Sequence, residues 1–508
     1  MRDSRHVFRI WADALCIDQN NVSERNQQVK HMGQIYQAAS HTIIYLGALT
    51  PETEFVLLKA RTEQIADGER EAVVEVANQE DMGILRRPWF TRAWILQELV
   101  MSRDPWVQCG TLRVRWRDLC ALLLGKNEQS VPREKALQVL QDMDSARSRG
   151  MESSLLDLLV ARRGFGAANK RDLVFALLGL TKLDQNFLLE LVDYSKSLHE
   201  VYTISTVSIL RSLEWKGLER VLSLADDGRE LVDRPEGLPS WVPDWSSLPL
   251  YEAPVPKAKG YIQFSNTSFK RNGNPFEIID SPPTLLTLGY RIDTIEALSP
   301  IFKWSPALLK QFLNMSKLSA WKDLELEYLS LLEELQDSDE VDVKSDTFEL
   351  FLLKFMSIIR ENENNDEFII NNTKDSLWIF SDLEMRSLEG RRCAITVEGC
   401  LLIVPPHARP GDEAVYCLDF HPFILRILPQ RQPQHPVETV LKRLETLDPH
   451  GHLEHLSADP RVTMSKVCYR QLVGRSYFCM IGGFANRMKS RRGRILFGGG
   501  SYLTFGIY

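Results

Sequence analysis

The sequence predicts a multidomain protein with an α/β domain at its N-terminal end, a helical middle region and a small β-rich module at its C-terminal end. Three observations carry this. Val7 to Ile17 is rich in strand formers, Val29, Met32, Tyr36 and Ala39 recur at three- and four-residue spacing, and His41 to Leu46 is a short apolar run. Strand, helix and strand in that order predict a βαβ unit with a parallel sheet and a right-handed crossover. From Arg392 onward, short apolar runs alternate with turn signals such as Glu398-Gly399 and Pro410-Gly411-Asp412.

The elements follow in order. Pro51 to Asp81 reads as mostly helical and polar, Pro88 suits the first position of a helix continuing through Trp94 to Val100, and Trp106 to Cys109 reads as a third strand. The first domain is therefore placed at residues 1–124, and residues 125–250 read as a helical connector with a two-helix element at Ser154 to Arg162. Residues 251–385 form a mixed region. It is strand-like from Tyr261 to Ile295 and helical from Pro306 to Asn362, with a Leu-rich acidic stretch at Glu325 to Asp342 read as a packing helix and acidic loop. Residues 386–508 are placed as a small antiparallel barrel or sheet, with a hairpin over Arg392 to Val404, strands at Ala414 to Leu418 and Phe423 to Ile427, and a basic, glycine-rich tail.

Composition narrows the function classes. The chain has 508 residues, more than one core supports, with 44% hydrophobic and 25% charged residues, ordinary soluble values. The longest apolar runs, such as Ile395 to Val404, are too short to span a bilayer, and the N-terminal residues carry no signal-peptide pattern, so a cytoplasmic protein without membrane partners is expected. The net charge of −7 gives no global attraction to nucleic acid, and the basic run Arg487 to Arg494 has no interleaved aromatics. The eight cysteines include no Cys-x-x-Cys pair and no histidine at finger spacing, so reduced thiols are expected and no metal site. No glycine-rich phosphate loop or Ser-His-Asp arrangement is present, and Phe497 to Gly500 reads as turns.

Two long motifs stand close to the start of the chain. Arg9-Ile-Trp-Ala-Asp-Ala-Leu-Cys-Ile-Asp-Gln19 leads through Glu24-Arg25 to Ile43-Ile-Tyr-Leu-Gly47, and Arg87-Pro-Trp-Phe-Thr-Arg-Ala-Trp-Ile-Leu-Gln-Glu98 precedes Val107-Gln-Cys-Gly110. In this order they resemble the central motifs of the fungal heterokaryon incompatibility (HET) domain. Arg171 to Leu180, Val192 to Lys196 and Leu238-Pro-Ser-Trp-Val-Pro-Asp-Trp-Ser246 resemble segments found downstream in such proteins. Their physical reading is helix core for the first two and a proline-fixed aromatic linker for the third. The tail after Ile481 departs from the family, which usually carries an acidic segment there.

The resemblance implies a fold similar to the Toll/interleukin-receptor (TIR) superfamily, a flavodoxin-like sheet. The strand and helix that open HET domains are not seen before the first motif, so the domain is expected to lack them and to leave a sheet edge and part of a ligand crevice open. The family implies non-self recognition and programmed cell death, with self-association or other incompatibility proteins as partners. Some TIR members hydrolyse NAD with one helix glutamate four residues after a tryptophan. Trp94 and Glu98 have that spacing, which on a helix puts an indole beside the carboxylate, so Glu98 is the candidate catalytic residue with Trp94 supporting it and NAD the candidate substrate. The competing reading pairs Glu98 with Arg86 or Arg87. Asp13, Asp18, Gln19 and Arg25 are candidate binding residues near the end of the first strand; the alternative makes them caps, loop fixers and interface charges, with Ser23 as N-cap. Two aspartates offer too few oxygens for a metal.

Overall fold

The computed structural model describes residues 9–62, 67–79, 83–125, 135–149, 154–181, 187, 190–250, 276–280, 283–298, 301, 390–397, 401–417, 422–427, 438–440, 442–443, 467–475, 477–478 and 503–507. The chain divides into two compact units, one of residues 1–205 with 245–248 and one of residues 206–244 with 249–508. The expected helix and acidic loop within 306–366, the strand-like residues 261–275, the basic run 487–494 and the turns at 497–500 lie outside the described residues.

In the first unit, helix α1 (Asp13–Cys16) is followed by α2 (Val22–Ala38), strand β1 (Thr42–Tyr45), α3 (Pro51–Lys59) and α4 (Asp67–Asn78). Helix α5 (Ile95–Met101), strands β2 (Pro105–Cys109) and β3 (Leu112–Arg115), then α6 (Trp116–Leu124), α7 (Lys135–Arg149), α8 (Leu155–Ala161) and α9 (Asp172–Leu178) complete it, with the start of α10 (Leu198–Ala225). The sheet has order β1-β2-β3; β1 and β2 are parallel, and β2 and β3 form an antiparallel hairpin. Helices α3 to α5 thus supply the crossover between the parallel strands.

This differs from the expected βαβ unit in one respect. The described part of Val7 to Ile17 contains α1 rather than a strand, so the parallel pair is β1 with β2 and not a strand before α2 with β1. The turn is closed by the Leu15 and Cys16 N–H groups donating to Ala12 O at 3.0 and 2.8 Å, with no side-chain cap. Only Ile17 in this stretch is buried, while Ile10 and Leu15 face solvent, so no second apolar face exists to pair into a sheet. One helix, α8, occupies the region expected to hold two.

The second unit is built on β4 (Phe276–Asp280), β5 (Pro283–Leu298), β6 (Arg392–Thr396), β7 (Leu401–Val404), β8 (Glu413–Cys417), β9 (Pro422–Ile427), β10 (Val467–Arg475), β11 (Tyr477–Phe478) and β12 (Leu503–Ile507). Long β5 pairs with β12 through its first half and with β8 through its middle, and β12-β10-β9-β8 run between, so five strands close into a ring. Closure removes the unpaired edges an open sheet of this size would leave. Strands β6 and β7 pair antiparallel, as the hairpin expected over Arg392 to Val404 requires, with Arg392 opposite Val404 and Ile395 opposite Leu401. Strand β12 corrects the reading of the tail: these last residues sit between β5 and β10, parallel to β10, as a member of the ring. A fully buried Arg391–Asp226 pair, 3.2 Å apart, belongs to this unit.

Leu238 to Ser246 is not an exposed linker. Trp241 is 0% exposed in the second unit and Trp245 1% in the first, so its aromatics are core residues. Among the described residues, no helix is long and apolar enough to cross a membrane.

Candidate functional site

Helix α5 carries Glu98. The expected continuous helix from Pro88 to Val100 is instead broken. Pro88–Thr91 is one turn of 3-10 helix, Arg92 is extended at φ −81° and ψ 146°, and α5 starts at Ile95 with Trp94 as N-cap. The break has a visible cause: the Ala93 N–H donates to Gly166 O at 2.9 Å and the Gly166 N–H to Thr91 O at 2.6 Å, pulling these residues into an extended bridge.

Two glycines allow α5 to pack closely. A Cβ at Gly33 of α2 would lie 3.0 Å from the buried Gln97 amide nitrogen, and one at Gly179 would lie 2.7 Å from it. The far end of α5 is closed by Arg147 of α7, whose Nη1 donates to Leu99 O at 2.5 Å and to Ser102 O at 2.7 Å, satisfying carbonyls a helix end leaves open. Glu98 therefore sits on a short, firmly held element.

The indole beside Glu98 is Trp89, not Trp94. Trp89 Nε1 donates to Glu98 Oε2 at 3.1 Å. Burial raises the Glu98 carboxyl above the ordinary glutamate range, a shift opposed by Arg92 and the Trp89 bond and reinforced by Asp13. The cation near it is Arg92; Arg86 instead donates through Nε to Asn78 O. Tyr36 of α2 completes the group: burial first, then the charges of Glu98 and Asp13, push its phenol upward, and its ring packs edge-on to Trp11 at 5.7 Å. Asp13, Trp11, Tyr36, Trp89, Arg92 and Glu98 form one cluster of carboxylates, aromatics and a cation. It holds two of the six residues nominated from sequence.

Trp94 belongs to a second cluster one helical turn away. It packs with Phe165 on a small core of Ala93, Leu173 and Ala176, and its side chain hydrogen-bonds Asp172. Tyr194 Oη donates to Asp172 Oδ1 at 2.5 Å, and the Arg25 guanidinium lies 3.8 Å over the Tyr194 ring. Asn26 donates to Asp193 Oδ1 and accepts the Tyr194 N–H, both at 2.8 Å, tying α2 to this segment. Burial raises the Asp172 carboxyl, against the Tyr194 and Trp94 bonds and the charges of Arg25 and Arg171.

The remaining nominated residues shape the loop before α2. Gln19 Nε2 donates to Asp13 O at 3.3 Å, Asp18 Oδ1 accepts the Asn20 N–H, and the Asp18 N–H donates to Glu24 Oε1 at 3.1 Å. The N-cap of α2 is Asn21, which accepts the Glu24 N–H, rather than Ser23 inside the first turn. Asp18 and Gln19 are loop-fixing groups here and Arg25 is stacked on Tyr194. Sequence reasoning missed Trp89 and Arg92, although both lie within the second motif, and Asp172 and Tyr194, which were read as core. Among the described residues no group of three or more His, Cys, Asp or Glu is placed to hold a metal.

Comparison with known proteins agrees with these motifs. Residues 1–98 match the family model described as Heterokaryon incompatibility protein (HET). The chain is 24% identical over 545 aligned positions, covering 83% of its own length and 78% of the relative's, to Heterokaryon incompatibility protein 6, OR allele, of Neurospora crassa. No solved structure matches. Residues 1–98, within the N-terminal unit, are thus similar to the HET family.

Proposed function

We propose that this chain acts in heterokaryon incompatibility, the fungal non-self response, with its HET domain as a cytoplasmic signalling module. In this reading the domain associates with further copies or with other incompatibility proteins, and assembly triggers programmed cell death. The observation that carries it is the extent of the likeness to the Neurospora relative, which runs through both units rather than the first motifs alone.

The Glu98 cluster favours a second, chemical reading: a TIR-like NAD glycohydrolase. Glu98 is desolvated, fixed by Trp89 and set on a helix held at both ends. In such a reaction the bond between ribose and the pyridinium nitrogen of nicotinamide breaks, its electron pair neutralising that nitrogen, and water adds to the sugar carbon with loss of a proton. A fixed carboxylate stabilises the oxocarbenium-like state and, with a raised pKa, accepts the water proton more readily than a solvated glutamate.

Glu98→Gln separates the readings. It keeps an oxygen to accept the Trp89 N–H while removing the charge. Under association, expression of the variant kills fungal cells as the native chain does. Under catalysis, cell death and NAD consumption are both abolished while the variant remains folded.

A further inference from the structure

The loop between α8 and α9 borders an open surface pocket of about 520 Å³ that neither reading of Glu98 uses, lined by Ala168, Asn169, Lys170, Arg171 and Leu198. All five residues belong to the first unit. We infer that this pocket binds a phosphate-bearing anion of nucleotide size.

Four observations support the assignment. The loop is preformed: Tyr202 Oη donates to Lys170 O at 3.0 Å, the Asp172 N–H to Asn169 O at 2.9 Å, and Asn169 Oδ1 accepts the Arg171 N–H at 3.1 Å. Lys170 is exposed and forms no ion pair among the described residues, while Arg171 donates through Nη1 to Asn169 Oδ1 at 3.5 Å and lies in range of Asp172 without a salt bridge to it. Arg171 Nε is buried and has no hydrogen-bond partner, and a desolvated donor of that kind calls for an acceptor. The Asn169 amide nitrogen, whose oxygen is engaged by Arg171, makes no bond among the described residues.

The neighbouring acids do not fill this role. Asp172 accepts from Tyr194 and Trp94, so its oxygens are already engaged. Asp193 accepts from Asn26, Ser195 and Lys196, and Glu200 caps the start of α10 by accepting from Ser197. A planar guanidinium fork, a mobile ammonium and an amide donor together suit the several oxygens of a phosphate better than one carboxylate. Ala168 and Leu198 add an apolar lining for the body of such a ligand.

The inference does not depend on Glu98. It is tested by calorimetric titration of the full chain with inorganic pyrophosphate and with AMP. Binding of either probe is expected, and Lys170→Glu, at an exposed position, is expected to weaken it about tenfold or more without lowering the melting temperature. Arg171→Lys keeps the charge but loses the fork and is expected to weaken binding as well. Pyrophosphate alone identifies a phosphate subsite, whereas tighter AMP binding identifies a nucleotide site. Failure of both probes to bind at millimolar concentration overturns the inference, as does binding that both variants leave unchanged.

Discussion

Replacing Tyr194 with Phe removes a single oxygen from the surroundings of a buried acid. Tyr194 is 7% exposed, and its ring is held by the Arg25 guanidinium at 3.8 Å and edge-on by Phe175 at 5.1 Å. Phenylalanine keeps both ring contacts, so the change isolates the bond from Tyr194 Oη to Asp172 Oδ1. A hydrogen bond to an ionised group contributes about 1.5–3 kcal/mol, so the first unit is expected to lose about 2 kcal/mol at pH 7, roughly 30-fold in its folding constant. The pH dependence follows from the sign of the shift. Burial raises the folded pKa of Asp172, so its favourable contribution is complete below the ordinary carboxylate range and is lost as pH rises through the folded value. The Tyr194 hydroxyl lessens that loss by favouring the carboxylate. Its removal therefore costs most at neutral pH and little in acid, where the protonated carboxyl no longer needs a strong donor. Urea unfolding of both proteins between pH 4 and pH 8 measures this. A cost below about 0.5 kcal/mol, or one that does not change with pH, would refute the account of Asp172 as a desolvated acid held by Tyr194.

Glu98→Gln is expected to leave the first unit as stable as the native chain or more so at pH 8, with the difference shrinking toward pH 4, because the folded state raises the Glu98 pKa and charging it costs stability as pH rises; parallel thermal melts check this. Gly83→Ala is expected to destabilise by about 2 kcal/mol or more in urea unfolding, since the new Cβ would lie 2.4 Å from Ala77 O, a backbone atom that cannot turn away. In the second unit, Asp226→Ala removes the carboxylate beside the fully buried Arg391 and is expected to cost about 3 kcal/mol, read by calorimetry; an unchanged melt would mean that other groups already neutralise that guanidinium.

Much of this architecture was legible because short-range rules and long-range packing agree. The Thr42–Tyr45 and Pro105–Cys109 strands, the amphipathic α2 and the Arg392 hairpin each announce themselves by periodicity or turn residues. The failures occur where tertiary contacts override them. Strand formers at residues 9–17 coil into a turn of helix because only Ile17 among them finds a core. The helix expected from Pro88 breaks at Arg92 because Gly166, over seventy residues later, takes both backbone bonds there. That break also misled the reading of the site. Trp94 stays one turn from Glu98, its carbonyl accepting the Glu98 N–H at 3.1 Å, but its indole bonds Asp172, and Trp89 on the 3-10 turn before the break holds the glutamate. Strand β12 was hidden for another reason: a five-residue strand gains its place from β5 and β10, which no local pattern reports.

Two desolvated carboxyls, Glu98 and Asp172, flank one seven-residue helix, and each is held by an indole, Trp89 for the first and Trp94 for the second. They differ in what surrounds them. Asp172 has a short bond from Tyr194, the Trp94 bond and two arginines in range, which is how a fold makes a buried acid tolerable. Glu98 has one longer bond, one arginine and a second acid, Asp13, nearby, so its ionised form is less well compensated. Burial raises both folded pKa values, so charging either acid costs stability as pH rises, and the neutral isostere relieves that cost more where the ionised form is less well compensated. Sites held for function retain groups that the fold alone would discard. Comparing Glu98→Gln with Asp172→Asn in one unfolding experiment at pH 8 decides between the readings: the same response at both argues for architecture, and a gain in stability confined to or clearly larger for Glu98→Gln argues that this domain maintains the Glu98 carboxylate at a cost to its own stability.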